Sequence, residues 1–283
     1  MAVAFQGASG AFSELAANEF FQNKQKAFAC PQFNDVFASV ASGGTRYGIV
    51  PIENSMAGSI HQNYDLLVDH KLYIVGEIYL RITHYLLANP GVTKHKVRRI
   101  FSHPQALAQC RQFLSKLPDV AVEPVSNTAA AVKKIKSENL TDAAAIASMQ
   151  ASIDFKVDIL AKRIEDNKLN TTRFLVLARN PKKRIPAATQ TKTSIVFATK
   201  NIPGVLYKTL SVFALRDINL LKIESRPMRG AHFEYLFYLD FEGFATSKAQ
   251  KNALNHLQEI TTFYRLLGSY PIGKLALPEY KRR

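Results

Sequence analysis

From the N-terminus to about residue 180, short apolar runs alternate with helical spacings of apolar residues, and Gly, Pro, Ser or Asn marks the junctions. Residues 2–5, 47–51, 72–81, 99–101, 121–125, 143–147 and 173–178 read as strands. Between them, residues 12–21, 35–41, 62–69, 106–114, 128–137 and 149–155 carry the helical period. Such alternation builds a mainly parallel sheet flanked by helices, with any ligand near the C-terminal ends of the strands. Residues 180–192 are polar, basic and proline-marked with neither period, and predict a linker. The pattern then restarts as strand 193–199, helix 205–216, strands 219–226 and 233–241, helix 247–258 and strand 262–269. This βαββαβ order predicts a ferredoxin-like sandwich, an antiparallel sheet with both helices on one face. In its third strand the period of two places Phe233, Tyr235, Phe237, Leu239 and Phe241 on a core face, and Leu236 and Tyr238 on a face suited to packing against another subunit. The expected division is therefore residues 1–179, a linker at 180–192, residues 193–270, and a basic tail at 271–283.

Length and composition fit that division. A chain of 283 residues, 47% of them hydrophobic, can bury two cores. Lys and Arg number 37 against 22 Asp and Glu, so the formal charge is +15, a field that attracts anions. The basic residues are scattered, and the densest groups, Lys182-Lys183-Arg184 and Lys281-Arg282-Arg283, carry no interleaved aromatics, so solvated surface charge outweighs a nucleic-acid groove. Cys30 and Cys110 have neither metal-ligand nor disulfide spacing and read as buried thiols in a reducing compartment. No run approaches the ~18 apolar residues of a membrane span. The first residues read as a strand instead of a signal peptide, which points to the cytoplasm, with a transit peptide removed ahead of Met1 left open.

Three loops lie between a strand and a helix, where orphan backbone N–H groups and the helix dipole favour an anion: Gly7-Ala8-Ser9-Gly10, Pro51-Ile52-Glu53-Asn54-Ser55 and Ser102-His103-Pro104-Gln105. With Thr171-Thr172-Arg173 opening a later strand, they suggest a polar pocket for a carboxylate-bearing ligand. The chain shows no phosphate-binding loop, no dinucleotide fingerprint and no histidine pair at metal spacing. The seven histidines, His61, His70, His84, His95, His103, His232 and His256, lie far apart, and most read as surface or capping residues. Catalysis would rest on hydroxyls and amides, with at most one carboxylate and one guanidinium, groups suited to a substrate that brings its own driving force.

Several strings resemble the motifs of the prephenate dehydratase family, in family order: Gly7-Ala8-Ser9-Gly10-Ala11-Phe12-Ser13, Pro51-Ile52-Glu53-Asn54-Ser55, the stretch 58–66, Ser102-His103-Pro104-Gln105-Ala106-Leu107 and Thr172-Arg173-Phe174. The second domain resembles an ACT regulatory domain in Asn201-Ile202-Pro203-Gly204-Val205-Leu206 and Glu224-Ser225-Arg226-Pro227. The likeness spans roughly residues 2 to 270.

The resemblance implies a two-lobed catalytic domain of the periplasmic-binding-protein type (type II), with crossovers near 72–81 and 169–175, followed by a ferredoxin-like ACT domain. The implied reaction is decarboxylative dehydration of prephenate to phenylpyruvate, without cofactor or metal. Thr172 would assist departure of the hydroxyl. Glu53, Asn54, Ser55, Ser102, Gln109 and Thr171 would bind or orient the substrate. Arg173 would join them only if its strand begins after it, because neighbouring strand residues face opposite ways. Asn201, Gly204, Val205, Leu206, Glu224, Ser225 and Arg226 would bind L-phenylalanine as a feedback effector at a subunit interface, in a homodimer or homotetramer. Asn127-Thr128-Ala129-Ala130-Ala131 departs from the family's Asp-Thr-Ala-Gly pattern, which puts Thr128 as a contact in question, and Val205 stands where Ala is frequent. With no mutase bundle ahead of residue 1, the chain reads as monofunctional. Arogenate dehydratase is the nearest alternative, and a non-catalytic sensor of amino or aromatic acids is the alternative of another class.

Overall fold

The computed structural model describes residues 2–117, 119–181, 185–186, 189–228 and 234–278. Phe233, both basic clusters and part of the expected linker lie outside them. Contacts divide the chain into two compact units. The first holds the chain up to Leu66, Ile78–Leu175 and the described residues from Lys274 on; the second holds Leu67–Glu77 and Val176–Gly273.

The first unit has two sheets. Strands β1 (Ala2–Gln6), β2 (Lys26–Cys30), β3 (Tyr47–Asn54), β4 (Gly58–Ser59) and β5 (Tyr73–Arg81) lie in one; β6 (Tyr85–Ala88), β7 (Arg99–Ser102), β8 (Ala121–Pro124), β9 (Ala143–Ala147) and β10 (Asp158–Lys162) form the other. The chain returns to the first sheet in β11 (Thr171–Ala178). Helices α1 (Phe12–Phe21) and α2 (Phe33–Ser42) pack on β1 and β3; α3 (His61–Asp69) follows β4; α4 (Pro104–Ala108) and α5 (Arg111–Leu114) follow β7. Helix α6 (Thr128–Ser137) packs on β7 and β9, and α7 (Met149–Phe155) on α6 and β10. The two-lobed α/β architecture that the resemblance implied is present. The links between lobes are residues 82–84 and 163–170, just outside strands β5 and β11 themselves.

Each lobe's core follows from its apolar strands. In the second lobe, Leu87, Phe101, Ala143, Ala145 and Ala147 close on Ala131, Val132 and Ile135 of α6. The small side chains of β9, AAAIA, all buried, let helices pack close on both faces. The two lobes also touch directly. Gly10 sits at φ 82°, and a Cβ there would lie 2.7 Å from Ala151 Cα. Ser148 Oγ donates to the Gly10 carbonyl at 2.6 Å, and Ser9 Oγ donates to Asp154 Oδ2 at 2.8 Å.

The second unit has the expected βαββαβ order: β12 (Thr191–Ala198), α8 (Val205–Ala214), β13 (Leu220–Pro227), β14 (Tyr235–Glu242), α9 (Lys248–Ile260) and β15 (Phe263–Pro271). Its antiparallel sheet runs β13-β14-β12-β15. Ile195, Leu239 and Phe241 meet Val212, Phe213, Leu254 and Leu257 of the helices. The opposite face, where Leu236 and Tyr238 lie, is buried within the chain, because Leu67–Glu77 belongs to this unit. Arg265 donates to the carbonyls of Leu67, Val68, His70 and Leu72, capping the C-terminal turn of α3, and Lys192 pairs with Glu77 at 2.9 Å.

One expectation is corrected here. Residues 271–276 are not a free tail. Ile272 N donates to the Gln190 carbonyl, and Gly273 N to Glu77. Strand β16 (Leu275–Ala276) then pairs parallel with β5, satisfying backbone groups that an open sheet edge would leave exposed. No helix among the described residues is long and apolar enough to cross a membrane.

Candidate active site

A cavity of about 350 Å³ lies between the lobes of the first unit, at the small end of the range for small-molecule sites. Gly7, Ala11, Phe12, Ser13, Asn54 and Thr172 line it from one lobe, and His103, Gln105, Ser126, Asn127 and Thr128 from the other. The starts of α1 and α6 therefore both face it, so two helix dipoles present their positive ends. Asn127 Oδ1 accepts from Ala130 N–H at 2.8 Å and caps α6 as an acidic residue would, without adding negative charge to the wall; Thr128 is on the wall too. Phe12, Phe33, Ile60, Ile82 and Phe174 supply an apolar surface. Among the described residues the wall bears no Lys, Arg, Asp or Glu.

A hydrogen-bond network joins the polar groups, and its polarity follows from the backbone. Met56 N–H and Ala57 N–H both donate to Asn54 Oδ1 at 3.0 Å, which fixes that atom as oxygen. Asn54 Nδ2 then donates to Asn170 Oδ1 at 2.8 Å and to Thr172 Oγ1 at 2.9 Å. Asn170 Nδ2 donates to Gln109 Oε1 at 2.9 Å, and Gln109 Nε2 donates back to Asn54 Oδ1 at 3.3 Å. Since Gln109 Oε1 is an acceptor, His84 Nε2 carries the proton in their 2.9 Å contact. Thr172 Oγ1 accepts from an amide, so its own proton is available to a ligand.

Of the substrate residues named from the resemblance, Asn54, Gln109 and Thr172 come together on the wall. Gln109 reaches it because the helix expected over 106–114 breaks: α4 ends at Ala108, and Cys110 leaves helical geometry at φ −120°, ψ 26°. The other expected residues are not on the wall. Ser102 is fully buried and its Oγ donates to the Ile146 carbonyl at 2.6 Å, joining two strands of the second sheet. Ser55 Oγ accepts from Thr171 N–H at 3.0 Å, and Thr171 Oγ1 donates to the Leu169 carbonyl, so both tie the loop after β3 to the start of β11. Glu53, beside Asn54 in β3, is half-buried and off the wall. Because β11 begins at Thr171, Arg173 points opposite to Thr172, and its buried side chain is off the cavity wall.

His84 and Asn170 were missed. His84, one of seven histidines given no role from the sequence, is 2% exposed and on the wall. Burial pushes its pKa below the usual histidine value, against the smaller upward effects of the Gln109 hydrogen bond and the Glu165 charge. Its position between apolar strands β5 and β6 was the available signal. His103 caps α4, its Nδ1 accepting from Gln105 N–H at 3.2 Å, and burial also lowers its pKa.

In the second unit, Gly204 is the N-cap of α8 at φ 73°. Ala198, at the end of β12, and Arg226 both register with Leu236 of the intervening strand β14. The chain leading to Asn201–Leu206 and the Glu224–Arg226 segment therefore lie at one end of the sheet, two strand spacings or about 10 Å apart. Asn201 and Ser225 are exposed, Leu206 is 37% exposed, and Val205, Glu224 and Arg226 are half-buried. Lys222 Nζ and Glu224 Oε2 are 3.5 Å apart.

The fold is a two-lobed α/β architecture whose cavity wall presents helix starts, hydroxyls and amides, a surface suited to a compact anion. Residues 3–182 match the family model described as prephenate dehydratase. Over 285 residues the chain is 50% identical to arogenate dehydratase/prephenate dehydratase 2, chloroplastic, of Arabidopsis thaliana, covering 97% of this chain and 74% of that protein. The solved prephenate dehydratase of Arthrobacter aurescens in complex with L-Phe matches at TM-score 0.87 and 32% identity, over 96% of this chain and 90% of that one. A solved structure described as a quorum quenching acylase matches at TM-score 0.88 and 32% identity, over 96% and 98%. The chain belongs to the prephenate dehydratase family, and is a lyase by that membership.

Proposed function

We propose that this protein converts prephenate to phenylpyruvate, carbon dioxide and water. The observation that carries the reading is the bond from Asn54 Nδ2 to Thr172 Oγ1, which leaves the Thr172 proton to be donated. The starts of α1 and α6 receive the substrate carboxylates, and the apolar wall packs against the ring. Thr172 donates to the departing ring hydroxyl while the carboxylate leaves as carbon dioxide and the ring becomes aromatic. Asn54 and Gln109 hold Thr172 and the wall in that arrangement; Ser55, Thr171 and Ser102 support the loops behind them, and Glu53 and Arg173 have no part in contacting substrate.

Purified protein given prephenate should yield phenylpyruvate. Thr172→Val, which keeps the side-chain shape but removes the donor, should lower kcat by about 10²–10³-fold with the fold intact. Unchanged kcat would rule Thr172 out. Arogenate, with an ammonium in place of the keto oxygen, is the second reading; the names of the plant relatives favour it, and phenylalanine would be the product. An acylase reading finds no support at Thr172, because a nucleophilic hydroxyl needs a base to take its proton and Asn54 presents an amide donor.

The second unit is read as an ACT regulatory domain that binds L-phenylalanine through the Asn201–Leu206 loop and Glu224–Arg226. The exposed apolar residues Ile202, Tyr207, Leu215, Leu221 and Ile223 favour pairing of two such units, in a homodimer or homotetramer. Light scattering with and without phenylalanine, alongside inhibition assays, tests both. The names of plant relatives favour the chloroplast over the cytoplasm, and a fluorescent fusion of the full gene product tests that.

A further inference from the structure

This inference rests on the dehydratase reading and adds a second reacting group to it. Prephenate is a dianion at neutral pH and phenylpyruvate a monoanion, so loss of carbon dioxide and hydroxide consumes one proton per turnover to make water. Thr172 can donate a hydrogen bond, but any proton its hydroxyl gives up must be replaced. Among the described wall residues, only His84 and His103 carry an imidazole, the side chain whose ordinary pKa lies nearest neutral, and burial lowers both. His103 uses its Nδ1 lone pair to cap α4. His84 differs: its Nε2–H is committed to Gln109, and its buried Nδ1 has no hydrogen-bond partner among the described residues. The amide network fixes that tautomer, so Nδ1 holds a lone pair that can take a proton without breaking any existing bond.

We propose that His84 is a catalytic residue, the acid that supplies the proton consumed when the ring hydroxyl leaves. The Nδ1–H bond breaks and its proton joins the departing oxygen, which Thr172 holds by its own hydrogen bond. The ring C–O bond breaks toward oxygen. The electron pair of the bond to the carboxylate completes the aromatic ring, and carbon dioxide departs. His84 returns to the neutral form it has in the structure. Its surroundings suit an imidazolium only when substrate is present. From the 163–170 link, Glu165 Oε2 accepts the His84 backbone N–H at 2.9 Å and favours the cation. From α1, the Phe12 ring stands perpendicular at 5.5 Å and desolvates it, while Glu14 is turned to Gly10 N–H. From the α4 end, Gln109 is neutral, and His103 is the other titratable group on the wall. A bound dianion adds the missing negative charge, so the proton is taken up with the substrate.

The test is steady-state turnover of wild type, His84→Gln and His84→Ala from about pH 5.5 to 9, with and without added imidazole. Near-UV circular dichroism monitors the fold. His84→Gln should lose about 100-fold or more in kcat with KM changed only a few-fold, and the fall of kcat/KM with rising pH should vanish. His84→Ala should regain about tenfold in imidazole, which a structural role would not produce. A kcat within about threefold of wild type overturns the proposal, as does loss without rescue and with the wild-type pH profile retained. In either case wild-type turnover keeps the dehydratase reading intact. A wild type that converts neither prephenate nor arogenate overturns both.

Discussion

At the scale of single residues, His84 makes stability depend on pH in a stated direction. Burial lowers its pKa in the folded chain below the ordinary value of about 6.5 that the unfolded chain retains. The unfolded state therefore binds the proton more readily. The stabilisation is fully present above that value and is lost as pH falls through the lower folded pKa. Melting temperature should drop on acidification from about pH 7 toward 5, and less steeply in His84→Gln. The residue scale is also where sequence and structure part most. Asn54, Gln109 and Thr172 were legible through the family resemblance, whereas Ser102 and Arg173, named on the same ground, point elsewhere. Strand parity decides Arg173, since one residue of register turns a side chain to the other face.

At the scale of elements, the segment Leu67–Glu77 carries the buried Lys192–Glu77 pair, whose side chains are 5% and 0% exposed. Lys192→Met leaves the Glu77 carboxylate buried without its ammonium partner, and should cost about 3–5 kcal/mol in chemical denaturation. Adding Glu77→Gln should restore much of it. Gly268 stands at φ 152°, and a Cβ there would collide with the Ile74 carbonyl oxygen. Because this neighbour is backbone and cannot rotate away, Gly268→Ala should give insoluble protein or a melting point many degrees lower. Most strands and helices were legible because their apolar period is regular. The short strands β2, β4, β6, β10 and β16 were not; a run such as Tyr85–Ala88, apolar at every position, has no period to read.

At the scale of the whole molecule, the formal charge of +15 meets a dianionic substrate. Raising salt from about 20 to 300 mM should lower kcat/KM several-fold and leave kcat nearly unchanged, because screening weakens encounter but not the step inside the cavity. A kcat that falls in parallel would place the salt effect in the chemistry. The boundary between units shows the limit of reading along the chain. It falls inside α3, between Leu66 and Leu67, inside β5, between Glu77 and Ile78, and inside β11, between Leu175 and Val176, in the interior of regular elements and not in a linker. By itself the sequence determined the order of elements, the α/β and βαββαβ classes and the motif strings, since these depend on local periodicity and on residue identity. Only the tertiary structure decided which motif residues share a wall, that His84 joins them with a free Nδ1, and that Leu67–Glu77 covers the second sheet, because each depends on groups far apart in sequence meeting under burial.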